Sequence, residues 1–381
     1  MFRKSLLAAC AAALTAVPCV AADKTDAPAI VEKVQTEPKI QIAILLDTSG
    51  SMDGLINQTR EQLWRIVNTF ATAKKDGKRP KLELALYHYG NDSIPSAQHH
   101  VKMLVPLTTD LDRVSEELFK LTTNGGEEYC GAAIQHSLTE LEWSKNPKDL
   151  KLIYIAGNEP FSQGPIAYKE SVRTAIARGI VVNTIHAGTE RDGVAGNWAD
   201  AARLADGNFL FIDSNRAVAR VDAPQDAEIA RLSQELNKTY IAYGGKGRAA
   251  VARQEAQDKN AAGMSASSMS TRAAAKASAN YQNSDWDLVD ARKEGKPMAT
   301  VPKEELPAEM QKMNDAEREK FVAEKAAERA KLQTQIQKLA AERDAFVAGE
   351  MKKKAKDATK TMDDALIESA RTQAVKADFA L

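Results

Sequence analysis

Cysteine is nearly absent from this chain. Three occur in 381 residues, Cys10, Cys19 and Cys130, and the first two fall inside an N-terminal stretch that reads as a leader. A chain trimmed of that stretch keeps one thiol and can form no intrachain disulfide, so its stability rests on its apolar core. Net charge is absent as well. Lys+Arg and Asp+Glu are both 52, which leaves no global field to draw the chain onto nucleic acid or an acidic surface. Long apolar runs are also lacking, and the run at Leu6–Val17 is too short to span a bilayer. With 44% hydrophobic and 27% charged residues, the composition is that of a folded globular chain, long enough for one large domain or two.

The first residues carry the marks of an export signal. Arg3 and Lys4 are basic, an Ala-rich apolar stretch follows, and Val20-Ala21-Ala22 offers small residues for cleavage before a polar stretch begins at Asp23. Residues 1–22 are therefore expected to be a signal peptide cleaved after Ala22, which places the protein in the periplasm or outside the cell. Residues 23–38 read as a polar, Pro-containing linker.

From Lys39 onward, strands and helices alternate. Lys39–Leu46 is continuously apolar, the mark of a strand buried on both faces. Further strands are expected over Lys81–Tyr89, Val101–Leu107 (its hairpin partner), Lys151–Ala156, Ile180–His186 and Asn208–Ile212. Helical spacing recurs between them, at Leu55, Leu63, Ile66, Val67 and Phe70, and again at Leu111, Val114, Leu118 and Leu121 behind Asp110 or Thr109 as a cap. The alternation predicts an α/β fold, a doubly wound, mostly parallel sheet covered on both faces, over residues 39–243. Residues 244–302 read as a helical, low-complexity linker. Residues 303–381 read as a helical, coiled-coil-like region. Within it Asn314 caps a long charged helix in a capping-box spacing with Glu317, and Leu332, Ile336, Leu339 and Phe346 form a heptad-like seam interrupted by Lys325, Arg329 and Arg343. Three arrangements of that seam stay open: packing on the chain's own terminal helix over Asp363–Ala374, a dimer-forming coiled coil, or a solvated helix with no partner.

The stretch "LLDTSGSMDG" ends the first apolar run. Asp47, Ser49 and Ser51 occupy alternate positions of an extended loop, so they can face one point together. One carboxylate and two hydroxyls are hard-oxygen donors, suited to Mg²⁺ or Mn²⁺ and not to a soft metal. In an open parallel sheet, ligands bind at the carboxyl ends of the strands, where this loop lies. Asp-x-Ser-x-Ser in this setting resembles the von Willebrand factor A domain, whose metal-ion-dependent adhesion site has such a first loop. The resemblance covers Lys39 to Tyr243, about half the chain. "LYHYGND", "VPLTTDLD", "TNGGEEYCGA", "IAGNEPFSQGP" and "VNTIHAG" look like a subgroup of exported bacterial proteins of this family with a helical tail.

The resemblance implies a divalent cation, Mg²⁺ or alternatively Mn²⁺ or Ca²⁺, held by three loops. The second loop of the family supplies a Thr, and here register places Glu128 nearest that position, with Glu127 beside it. The third supplies an Asp, and here Gly157 stands in its place, with Asn158 next as a neutral ligand and Glu159 as a charged one. The implied metal set is Asp47, Ser49, Ser51, Glu128 and Asn158. An open coordination position would take a carboxylate from a protein partner.

Two other classes of function compete. A hydrolase would need a nucleophile, and Cys130 at a helix start is a candidate, with His136 and His186 as bases. Cys130 and His136 are six residues apart, however, on different faces of a helix, and no nucleophile–base–orienter set emerges from the spacing, so the chain is not expected to be an enzyme. An assembly protein would work through its C-terminal helices, with a homo-oligomer formed by the long one. The remaining features read as structure. His99-His100 would face opposite ways on a strand and are not expected to pair on a metal. His88 and His186 read as core or rim, and Trp64 and Trp143 as packing.

Overall fold

A computed structural model describes residues 37–50, 52–212, 221–354 and 362–381. The expected signal peptide, nearly all of the 23–38 linker, and Ser51 lie outside the described residues. Six strands form one sheet: β1 (Lys39–Asp47), β2 (Lys81–Tyr89), β3 (Val101–Thr108), β4 (Leu150–Gly157), β5 (Val181–Ala187) and β6 (Phe209–Ile212). Between and after them run α1 (Asp53–Thr69), α2 (Leu111–Lys120), α3 (Cys130–Glu140), α4 (Tyr168–Ala177), α5 (Glu190–Ala195), α6 (Trp198–Leu204) and α7 (Asp226–Asn237). The C-terminal helices are α8 (Gly244–Met264), α9 (Ala266–Lys276), α10 (Leu288–Lys293), α11 (Asp315–Lys354) and α12 (Met362–Lys376). Among the described residues no helix is long and apolar enough to cross a membrane.

The sheet order is β3-β2-β1-β4-β5-β6. All neighbours are parallel except β2 and β3, which form the expected hairpin. Strand β1 explains why Ile42–Leu46 is apolar throughout. Ile40, Ile42, Ile44 and Leu46 point to one face, against α1 and α2, while Ala43 and Leu45 point to the other, against α3, α4 and α6. Both faces are dry, so the alternation of a half-exposed strand is lost. Helix α1 lays Leu55, Ile56, Leu63, Ile66 and Val67 on the sheet at helical spacing. Helix α2 starts where its cap predicts, with the Asp110 carboxylate accepting the Arg113 N–H at 3.0 Å.

The stretch expected as a linker, 244–302, is instead packed structure. Helix α8 lies against α2, and α9 lies against α1 and α7. The Ala and Ser side chains that make 261–279 look low in complexity let α9 approach its neighbours closely, and Ala273 and Ala275 are fully buried. Charge completes the contact. Arg272, fully buried, donates to Asp112 at 2.7 Å and Asp258 at 2.6 Å and stacks on Trp64 at 4.6 Å, while Lys276 reaches Asp258 at 2.7 Å.

Helix α11 begins with the expected reciprocal box. Glu317 N–H donates to the Asn314 side chain at 3.0 Å, and Asn314 N–H donates to the Glu317 carboxylate at 2.8 Å. Within the chain, three residues of its seam pack on α7 and the end of α9 instead of on the terminal helix. Leu332, Ile336 and Leu339 sit on Ile229, Leu232 and Leu236 of α7 and on Ala273 and Ala277. Arg329 and Arg343 do not interrupt that seam but continue it. Each is 4% exposed and docks in an acidic socket, Arg329 on Asp287 and Arg343 on Asp226, both at 2.6 Å. Helix α12 packs on α1 and β6, adding Leu366, Ala370, Ala374 and Phe379 to the core of one sheet face.

Candidate functional site

The strand order reverses between β1 and β4, the point outside whose carboxyl ends doubly wound sheets form their ligand crevice. Asp47 is the last residue of β1 and is fully buried there. Its Oδ1 accepts the Ser49 N–H at 2.8 Å, which folds the loop back over the strand end. Its Oδ2 is buried with no hydrogen-bond partner among the described residues. Burial pushes the Asp47 carboxyl up to about 7, against the opposing pull of the Ser49 N–H and hydroxyl, and Glu128 adds repulsion. An ionised carboxylate this deep with an open oxygen is costly unless a positive charge pairs with it.

Glu128 lies where the register with the second loop places it, two residues before α3. It is half-buried, and its carboxyl is raised by desolvation, then by the neighbouring Glu159 charge. The Ser49 hydroxyl lies near both carboxyls and favours the ionised form of each. Gly90 shows how close the two acids are. A β-carbon there would stand 2.9 Å from Asp47 Oδ1 and 2.9 Å from Glu128 Cγ, and its φ of +72° suits glycine in any case.

The third loop explains its own departure from the family pattern. Gly157 ends β4, and a β-carbon on it would meet the Tyr89 hydroxyl at 2.6 Å and Asp47 Oδ2 at 2.9 Å. An aspartate there would force Tyr89 or Asp47 to shift. The Tyr89 hydroxyl donates to the Ala156 carbonyl at 3.0 Å, beside Cys130 Sγ at 3.6 Å. Asn158 follows at the crevice edge, half-buried, with its backbone N–H the weakest of the groups favouring an ionised Asp47. Ser51 lies outside the described residues. Among the described residues no three carboxylate, imidazole or thiol groups gather around one point. The donors that do meet are oxygens, two carboxylates and a hydroxyl.

Sequence reading missed the residues that brace this loop. Thr48 N–H donates to the Tyr89 carbonyl at 2.9 Å, and the Thr48 carbonyl accepts from Asn124 N–H at 3.0 Å and from the Asn91 side chain at 3.1 Å. Asn91 also donates to the Thr122 carbonyl at 3.2 Å, tying the first loop to the second. "GND" after a strand is a turn signal, which points to Asn91 but not to its partners. The lone thiol Cys130 is buried and pushed well above its ordinary value by desolvation. His136 faces away from it, toward His99 and Glu140.

Residues 41–218 match the family model of the von Willebrand factor type A domain. No curated protein matches the chain. Among solved structures it is similar to the SpRpn10 VWA domain, at 16% identity, covering 46% of this chain and 88% of that one with a TM-score of 0.35. It is similar to the conserved hypothetical protein BatB from Bacteroides thetaiotaomicron, at 16% identity over 52% of this chain and 98% of that one, TM-score 0.34. It is also similar to proximal thread matrix protein 1 from the mussel byssus, at 14% identity and TM-score 0.34, covering 46% of this chain and spanning 41% of that protein. The matched residues, the strand order and the loop at Asp47 agree, and residues 41–218 of this chain form a von Willebrand factor type A domain.

Proposed function

We propose that this protein binds a partner protein through a divalent cation held at the crevice between β1 and β4. The observation that carries the reading is Asp47, a buried carboxylate with one oxygen unpartnered among the described residues and a second carboxylate beside it. Asp47, Ser49 and Glu128 would hold the ion, joined by Ser51 and Asn158. The donor chemistry fits a hard cation, Mg²⁺, Mn²⁺ or Ca²⁺. Such an ion supplies a point of attraction for a carboxylate of the partner.

The chain's own residues prepare the place. Gly90 and Gly157 keep the approach to Asp47 clear of side chains. Asn91 and Thr48 hold the loops in register. The export signal read at residues 1–22 sets the encounter in the periplasm or outside the cell. Calorimetric titration of Mg²⁺ into the trimmed chain should show one site per chain, and Asp47→Ala should abolish it. A folded wild type that takes up none of Mg²⁺, Mn²⁺ and Ca²⁺ would remove the cation from the reading.

A further inference from the structure

A second constellation stands apart from the carboxylate pair. His99 ends the short turn before β3, and His136 lies on α3, 37 positions further along the sequence. His99 Nδ1 and His136 Nε2 face each other at 3.2 Å, with the rings edge-on at 70°. On its far side His136 Nδ1 is 2.6 Å from Glu140 Oε1, and the other Glu140 oxygen accepts from the Tyr87 hydroxyl at 3.2 Å. With Nδ1 turned to the Glu140 carboxylate, the His136 ring turns Nε2 toward His99.

We infer that His99 and His136 form a two-imidazole site for a borderline transition-metal ion, Zn²⁺ or Cu²⁺. Three features support it. Nitrogens bound to Zn²⁺ at about 2.0–2.1 Å in tetrahedral angles lie about 3.3 Å apart, close to the separation already present. A ligating histidine almost always gives its other ring N–H to a carboxylate or carbonyl, the arrangement Glu140 provides. And the turn is held in an uncommon shape to present His99: φ is 54° there and 53° at His100, two consecutive non-glycine residues in the left-handed region. Their backbone is fixed by His99 N–H to the Ser96 carbonyl at 2.8 Å and by Gly90 N–H to the His100 carbonyl at 3.0 Å.

No third carboxylate, imidazole or thiol joins the pair among the described residues. The remaining coordination positions therefore fall to water or to a group from outside the chain. Solvent reaches the site, since the His136 side chain is 22% exposed and that of Glu140 is 37% exposed. Nitrogen donors select these ions over Mg²⁺ and Ca²⁺, so the site does not compete with the oxygen donors at Asp47.

The test is a titration of the full chain with ZnCl₂ by calorimetry, in excess MgCl₂. One Zn²⁺ should bind, and His99→Ala and His136→Ala should each weaken it about 100-fold or more. Glu140→Gln, which cannot hold the imidazole as a carboxylate does, should weaken it roughly 10-fold. With Cu²⁺ as the probe, the electron paramagnetic resonance spectrum should show two equivalent-class nitrogens, reduced to one in His99→Ala. That variant sits in a surface turn and serves if His136→Ala fails to fold. Zn²⁺ binding that is absent, or unchanged in both histidine variants, overturns the site.

Discussion

Asp47 sets the energetics of the crevice at the residue scale. Its carboxyl is raised to about 7 in the folded chain, from an ordinary value near 4 when unfolded. Between those values the folded state binds more protons than the unfolded one, so stability falls as pH rises through that window. The effect is absent below about pH 4 and complete above about pH 7, where it is worth on the order of 4 kcal/mol. In EDTA, Asp47→Asn should therefore melt above the wild type at pH 8 and close to it at pH 4. Added Mg²⁺ should raise only the wild type at pH 8. Equal melting of the two proteins at both pH values would show that burial of this carboxylate carries no cost.

Gly157 gives the second prediction at this scale. Restoring the aspartate of the family pattern, Gly157→Asp, should weaken rather than improve cation binding. Its β-carbon collides with Tyr89 and Asp47, and overpacking of this kind costs about 1–3 kcal/mol. A Gly157→Asp variant that melts at the wild-type midpoint and binds Mg²⁺ more tightly would contradict the steric reading. The contrast explains what was legible here. Asp47 and Ser49 are neighbours in sequence, and their shared geometry follows from strand-end spacing. Glu128 followed from register before a helix. Tyr89 and Gly90 act by occupying or vacating space across two strands, which no local pattern encodes.

At the scale of elements, periodicity reported which faces are covered but not what covers them. The central strands β1 and β4 were readable because burial on both sides leaves a largely apolar run. The seam of α11 was readable as a stripe, yet its partner was not, since α7 and α9 offer small or ordinary aliphatic side chains more than 50 residues away in sequence. Arg329 was misread for the same reason. A charge on a seam looks like an interruption until its socket is known. The socket is specific: Arg329 donates to Asp287 and to the Thr239 carbonyl and lies 4.1 Å over the Tyr240 ring. Asp287, fully buried, also accepts the Ile241 N–H at 2.7 Å. Arg329→Met should therefore destabilise the chain by about 3–5 kcal/mol, because it strands a buried carboxylate. Arg329→Met combined with Asp287→Asn should recover a good part of the loss, a coupling that denaturant melts of the four proteins would measure. Losses that simply add would show that the two side chains do not act as a pair.

At the scale of the whole molecule, the C-terminal helices complete the domain that precedes them. Asn183, in the middle of β5 and fully buried, gives its side-chain N–H to Gln373 at 3.0 Å and accepts from it in turn. Lys75 donates to the Ala377 carbonyl at 2.6 Å and lies 4.8 Å over Phe379, and residues 74 and 380 pair as a short bridge. One face of the sheet thus closes only when the last helix arrives, across nearly the whole length of the chain. Deleting 362–381 exposes the apolar surface under Leu366 and Phe379, worth roughly 5 kcal/mol, and leaves Asn183 buried without its amide partner. The thermal midpoint should fall by roughly 10–20 °C. Asp47 ends a strand whose Ile44 and Leu46 lie in the same cluster as Leu366, so the loss reaches the crevice. Mg²⁺ affinity should drop together with the midpoint, although α12 supplies no donor to the ion. A deletion that lowers the midpoint and leaves the affinity intact would place the crevice on a rigid subset of strands, independent of the closing helix.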